Sequence, residues 1–125
     1  MPLDRVVTFL LTKNPEACLP FYRDILGFRF VRDDGFALIF DLHGTMLRIS
    51  KVPEFMPAQN TVLGWEVADI ASTVHELVRK GVAFERYPNM GQDGDGIATF
   101  STGDKVAWFK DPGGNVLSLS QHTSV

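Results

Sequence analysis

Few residues of this 125-residue chain combine type and spacing in a way that could do chemistry. Arg48 sits in the alternating run "TMLRIS", on the same side as Met46 and Ser50. An inward guanidinium there either clamps a ligand carboxylate or phosphate, or is neutralised by a protein carboxylate such as Glu66. Glu66 reads in turn as a general base raised by burial, as that counterion, or as an exposed acid at a strand end. Arg48 and Glu66 are therefore the candidate catalytic pair. His43 in a turn, His75 on a helix and His122 near the tail share no metal-ligand spacing, and each reads as a solvated imidazole. Cys18 has no histidine near it in sequence and reads as a packed thiol. "QDGDG", Gln92–Gly96, resembles the start of a calcium loop, but Ile97 and Phe100 follow where more oxygen ligands are needed. A mobile flap hinged at Gly91, Gly94 and Gly96 is the better reading. Phe55, Met56 and Met90 then line its mouth, or belong to the core or to a partner-facing surface.

These side chains need elements to hold them. "RVVTFLLT" reads as a buried strand. "NPEACLPFYRDILG" reads as a helix with Asn14 as N-cap, Pro15 first, Leu19, Tyr22, Ile25 and Leu26 inward, and Gly27 as its stop. "FRFVRDD", "FALIFDL" and "TMLRIS" form a meander. "KVPEFMPAQN" has two prolines and no period, so it reads as a linker. The order then recurs: strand "TVLGWEV", a helix capped by Asp69 with Val74, Leu77 and Val78 inward, and strands "VAFERYP", "DKVAWFK" and "NVLSLSQ". A shift of seventy positions lays "DLHGTMLRIS" on "DPGGNVLSLS", matching Asp41 to Asp111, Gly44 to Gly114, Leu47 to Leu117 and Ser50 to Ser120, with Ala37 on Ala107 upstream.

Composition narrows the partners. Hydrophobic residues make up 45% and charged residues 22%, as in ordinary globular domains. A formal charge of −3 without a basic cluster argues against nucleic acid. No apolar run approaches the roughly 20 residues that span a bilayer, so no membrane partner is expected. "MPLDRVVTFLL" lacks a small-residue cleavage site and reads as a strand, not a signal peptide. One cysteine suits a reducing cytoplasm.

The paired modules, the helix with "FYRDILGF" and the closing hairpin "FKDPGGNVLSLSQ" resemble the vicinal oxygen chelate superfamily of glyoxalases, bleomycin-resistance proteins and dioxygenases. The resemblance implies an α+β fold of two tandem βαβββ modules forming a curved, cup-shaped mixed sheet with helices on the convex side. Module 1 would run over 4–50, a linker over 51–60 and module 2 over 61–121, within one domain. The family's Asp-Pro-Asp-Gly-Asn turn is here Asp111-Pro112-Gly113-Gly114-Asn115, with Gly113 and Gly114 free to take positive φ.

Chelating relatives place His, Gln or Glu at four strand positions, which fall here on Val7, Arg48, Val62 and Ser118. None is a metal ligand of that kind, so no metal and no cofactor are expected. Strand alternation from these positions puts Val7, Phe9 and Leu11, Met46 and Ser50, Gly64 and Glu66, and Val116 and Ser120 on the concave face. Leu10, Leu47, Ile49, Trp65, Val67, Leu117 and Leu119 fall under the helices. The expected ligand-binding set is Val7, Phe9, Met46, Arg48, Val62, Glu66 and Ser118, taking a small molecule without metal as bleomycin-resistance proteins do. A metal-independent lyase or isomerase using Arg48 and Glu66 is the alternative. The family resemblance also implies a homodimer.

Overall fold

Strand β1 (Val7–Thr12) leads into α1 (Pro15–Pro20), a π-helical turn (Phe21–Ile25), and the meander β2 (Arg29–Asp33), β3 (Ala37–Leu42) and β4 (Thr45–Lys51). The second half repeats the order with β5 (Leu63–Glu66), α2 (Ile70–Arg79), β6 (Ala98–Thr99), β7 (Lys105–Lys110) and β8 (Val116–Gln121). The computed structural model describes residues 1–123, in two units. Unit 1 is Met1–Pro57 with the turn Asp111–Asn115, and unit 2 is Ala58–Lys110 with the chain from Val116 on. Each holds a four-stranded mixed sheet, in the orders β1-β4-β3-β2 and β5-β8-β7-β6. Within each sheet the outer first strand runs parallel to the last, which forces a long crossover between them, and the remaining pairs are antiparallel. The fold is thus α+β with the βαβββ pattern twice.

Hydrogen-bond register carries the repeat deeper than residue identity does. Phe9 pairs with Arg48 as Gly64 pairs with Ser118. Val7 pairs with Met46, and the Val62 N–H donates to the Val116 carbonyl at 3.0 Å. Gly44 and Gly114, matched by the seventy-residue shift, both take left-handed backbone (φ 103° and 92°) that an L side chain resists. Upstream of the hairpins the shift loses one residue, because Asp41 pairs with Met46 whereas Lys110 pairs with Val116 across a loop one residue longer. Ala37 therefore pairs with Ser50 and Ala107 with Leu119, so their match in sequence is not a match in structure.

The first helix departs from its expected form. Asn14 makes no side-chain cap; its own N–H donates to the Thr12 hydroxyl. Pro20 offers no N–H for a continuing ladder, and the chain widens into a π turn with the Leu26 N–H on the Phe21 carbonyl at 3.0 Å. This turn buries both Phe21 and Tyr22 in place of the predicted Leu19, Ile25 and Leu26, which are half-buried. Tyr22 lies over Phe40 of β3, with ring centroids 5.7 Å apart. The face of Leu10, Phe40, Leu47 and Ile49 is thus the core of unit 1. On α2, Asp69 caps as expected by accepting from the Ser72 N–H at 3.2 Å. Ile70, Val74 and Leu77 face inward at helical spacing, while Val78 falls beyond that stripe and is exposed. "VAFERYP" gives a single bridge, Phe84 to Phe109, instead of a strand; the two-residue β6 takes the sheet edge.

The Asp-Pro-Gly-Gly-Asn turn is a buried polar clasp. Both oxygens of Asp111 are used: Oδ1 accepts from the N–H groups of Gly113 and Asn115, and Oδ2 from the Tyr22 hydroxyl at 2.8 Å and the Asn115 amide. The Asn115 amide also donates to the Leu11 carbonyl at 2.9 Å. Gly113 is needed for closeness and not, as the turn motif suggested, for positive φ. A Cβ there would stand 2.6 Å from the Thr12 hydroxyl, inside contact distance.

Candidate functional site

Opposite its core face, the sheet of unit 1 presents Val7, Phe9 and Leu11 from β1, and Met46, Arg48 and Ser50 from β4. Phe9 is 66% exposed and Met46 41%, so this face carries apolar surface open to solvent. Of the alternatives read for Arg48, a protein carboxylate takes it, and that carboxylate is Asp34. The Arg48 Nη2 donates to Asp34 Oδ2 at 2.8 Å, in the turn between β2 and β3. That bond, with the N–H groups of Phe36 and Ala37, holds the Asp34 carboxyl well below the usual carboxylate range. A depressed folded value means the pair adds stability at neutral pH that starts to be lost as pH falls below the ordinary carboxylate value and is gone only below the depressed one.

At one end of this face lies a hollow of about 290 Å³, floored by Val7, Val31, Ile39 and Met46 and rimmed by Arg5, Arg29, Arg32 and Asp41. The internal repeat supplies a counterpart in unit 2. Ile39 faces Arg48 across the ladder as Trp108 faces Ser118, and Met46 corresponds to Val116. Around Trp108 and Val116 is a hollow of about 250 Å³, completed by Tyr87, Pro88, Met90 and the polar stretch Gln59–Thr61. The Tyr87 and Trp108 rings meet edge to face, 5.5 Å and 82° apart, which fixes an aromatic corner. Of the predicted set in unit 2, Ser118 is nearly buried, while Val62 and Glu66 are exposed, Val62 just before β5 begins. Gly64 lies beside Ser118 so closely that a Cβ would stand 2.7 Å from the hydroxyl oxygen.

Trp108 and Tyr87 were not among the residues expected from sequence. Alternation along β8 finds Ser118, but the residue across from it on β7 depends on register, which the longer hairpin shifts by one. The loop expected as a flap is heavily bonded. The Gln92 side chain accepts from the Tyr87 N–H and donates to the carbonyls of Glu85 and Gly96, each within 2.8 Å. Arg86 donates to the Gly94 carbonyl. Met90 reaches the aromatic hollow, whereas Met56 is fully exposed.

Metal chemistry does not fit these residues. Two valines offer no donor atom, the Arg48 guanidinium has only N–H donors and is bonded to Asp34, and Ser118 is one neutral hydroxyl. Among the described residues no group of three or more His, Cys, Asp or Glu is arranged to hold an ion. Elsewhere, His122 Nε2 lies 3.0 Å from the Ser120 hydroxyl and Nδ1 lies 3.3 Å from Asp104, in the order nucleophile, base, orienting acid. Ser120 lies within β8, which is paired on both sides, and the Thr123 N–H close by is taken by the Asp104 carboxylate. Cys18 is fully buried, with its thiol on the Thr12 hydroxyl at 3.3 Å, and burial pushes it up to about 11. Ellman's reagent is therefore expected to leave Cys18 unmodified in the native protein and to titrate one thiol per chain after denaturation; rapid native labelling would contradict this.

No helix among the described residues is long and apolar enough to cross a membrane. Several solved structures share the fold. A lactoylglutathione lyase from Agrobacterium tumefaciens is 18% identical, with a TM-score of 0.71 over 96% of this chain and 94% of that one. TnmS3, an antibiotic binding protein from Streptomyces sp. CB03234, is 23% identical, with a TM-score of 0.72 over 98% and 99%. A superfamily member from Sphaerobacter thermophilus DSM 20745 is 20% identical, with a TM-score of 0.74 over 98% and 99%. No curated protein matches in sequence. A family model does, over residues 3–119, and with the doubled βαβββ topology it places this chain in the Glyoxalase/Bleomycin resistance protein/Dioxygenase superfamily.

Proposed function

We propose that this protein binds a small, flat, largely apolar molecule without metal and without transforming it. The observation that carries the reading is the Tyr87–Trp108 corner with Met90, Pro88 and Val116, an apolar hollow bordered by a few amides and hydroxyls. Such a lining stacks and desolvates a ring system while the polar edge orients it. Support also comes from the donor set, which offers no cation the carboxylates or imidazoles that chelation needs. The antibiotic-binding relative TnmS3 shows that the fold accommodates a binding protein. The enzymatic alternative finds less support, because Arg48 is already bonded to Asp34 and Glu66 is exposed.

Calorimetric titration with acridine tests the proposal. Saturable binding is expected, weakened about tenfold or more by Trp108→Ala through loss of ring stacking and apolar contact. Acridine should be recovered unchanged, and added Zn²⁺, Ni²⁺, Mn²⁺ or Fe²⁺ should not raise affinity. Equal binding by the variant, or turnover of a glutathione hemithioacetal on adding Ni²⁺ or Zn²⁺, would overturn it.

A further inference from the structure

The hollow of unit 1 occupies the place in its module that the aromatic hollow occupies in unit 2, yet its rim is cationic. This follows from a departure in β2. Arg29 pairs with Asp41 and Phe30 with Phe40, but Arg32, not Val31, pairs with Ile39. Residues three apart on a regular strand point to opposite faces. The bulge at Val31 cancels that alternation, so Arg29 and Arg32 both line the hollow. A bulge that re-aims a charged side chain toward an apolar floor is a device for placing charge.

The acids of this region leave part of that charge unmatched. Asp33 is paired with Lys51, Asp34 with Arg48, and Asp41 with Arg29 at 3.7 Å. Asp4, which lines an adjoining hollow beside Arg5, makes no ion pair with it. Arg5 and Arg32 therefore have no carboxylate partner among the described residues. Two guanidiniums at one rim offer planar donor forks that match a carboxylate or phosphate. Between them, Val7, Val31 and Met46 give an apolar floor.

We propose that this hollow binds a small organic anion, with its carboxylate or phosphate drawn to the cationic rim of Arg5 and Arg32 and its apolar body on Val7, Val31 and Met46. Its lining shares no residue with that of the aromatic hollow of unit 2, so this proposal and the proposed function stand or fall on different measurements.

The probes are phenyl phosphate, phenylacetate and the neutral benzyl alcohol, titrated calorimetrically at low salt. At least one anion is expected to bind saturably in the millimolar range or tighter, and the tighter of the two identifies the preferred headgroup. Benzyl alcohol should not bind. Arg32→Gln and Arg5→Gln should each weaken the anion about tenfold, the loss of one charge-assisted contact. Lys13→Gln removes the same charge outside the hollow and should leave affinity unchanged. Circular dichroism of each variant establishes that it is folded. Two results overturn the proposal: no saturable binding of either anion by the parent, or Arg32→Gln and Arg5→Gln binding as tightly as Lys13→Gln.

Discussion

Asp111→Ala is expected to unfold at a far lower urea concentration than the parent, with a loss of about 3–5 kcal/mol. The carboxylate is 4% exposed and accepts four hydrogen bonds, from two backbone N–H groups, the Tyr22 hydroxyl and the Asn115 amide. Removing it leaves these donors without their acceptor, where each missing bond costs desolvation that water cannot repay. Burial, and then the adjacent Asp111 charge, hold the Tyr22 phenol well above its ordinary titration range, so that donor stays protonated throughout the working pH range. Tyr22→Phe removes one donor and spares the other three, and should cost about 1.5–3 kcal/mol. An Asp111→Ala midpoint equal to that of Tyr22→Phe would show that the turn's backbone bonds carry none of the effect.

Phe40→Ala should destabilise by about 3–5 kcal/mol, measured in the same urea titration. Phe40 is fully buried between Phe30, at 5.4 Å between ring centroids, and Tyr22, at 5.7 Å. These rings belong to β2, β3 and the π turn, so no single neighbour can relax to fill the cavity. Val78→Ala on α2 is the comparison. Its side chain is exposed, and its loss should fall within about 0.5 kcal/mol. A large loss at Val78 would restore the inward face that helical periodicity suggested for it.

The contrast shows which parts of the molecule were legible in the sequence. Alternation in "TMLRIS" and "NVLSLSQ" placed Leu47, Ile49, Leu117 and Leu119 in the core, because a half-buried strand writes its faces into its own residues. The seventy-residue repeat located both hairpins for the same reason. Alternation does not record what lies across the ladder. The bulge at Val31 and the longer β7–β8 loop each displace register by one residue, hiding Arg32 in the first hollow and Trp108 in the second. Arg48 was readable as an inward cation, but its partner Asp34 sits in a turn, where no period constrains direction. The π turn was hidden too, since Pro20 shows where a donor is missing without showing how the chain makes up for it.

The clasp also bears on the order in which the two units can be completed. Tyr22 and Leu11 bond to residues some ninety positions or more further on, in the stretch Asp111–Asn115 that belongs to unit 1 although both flanking strands belong to unit 2. A translating ribosome must therefore have made the chain through Asn115 before unit 1 can close its own polar interior. Nor can unit 1 be cut out as one continuous segment, since its last five residues lie in the chain between two strands of unit 2.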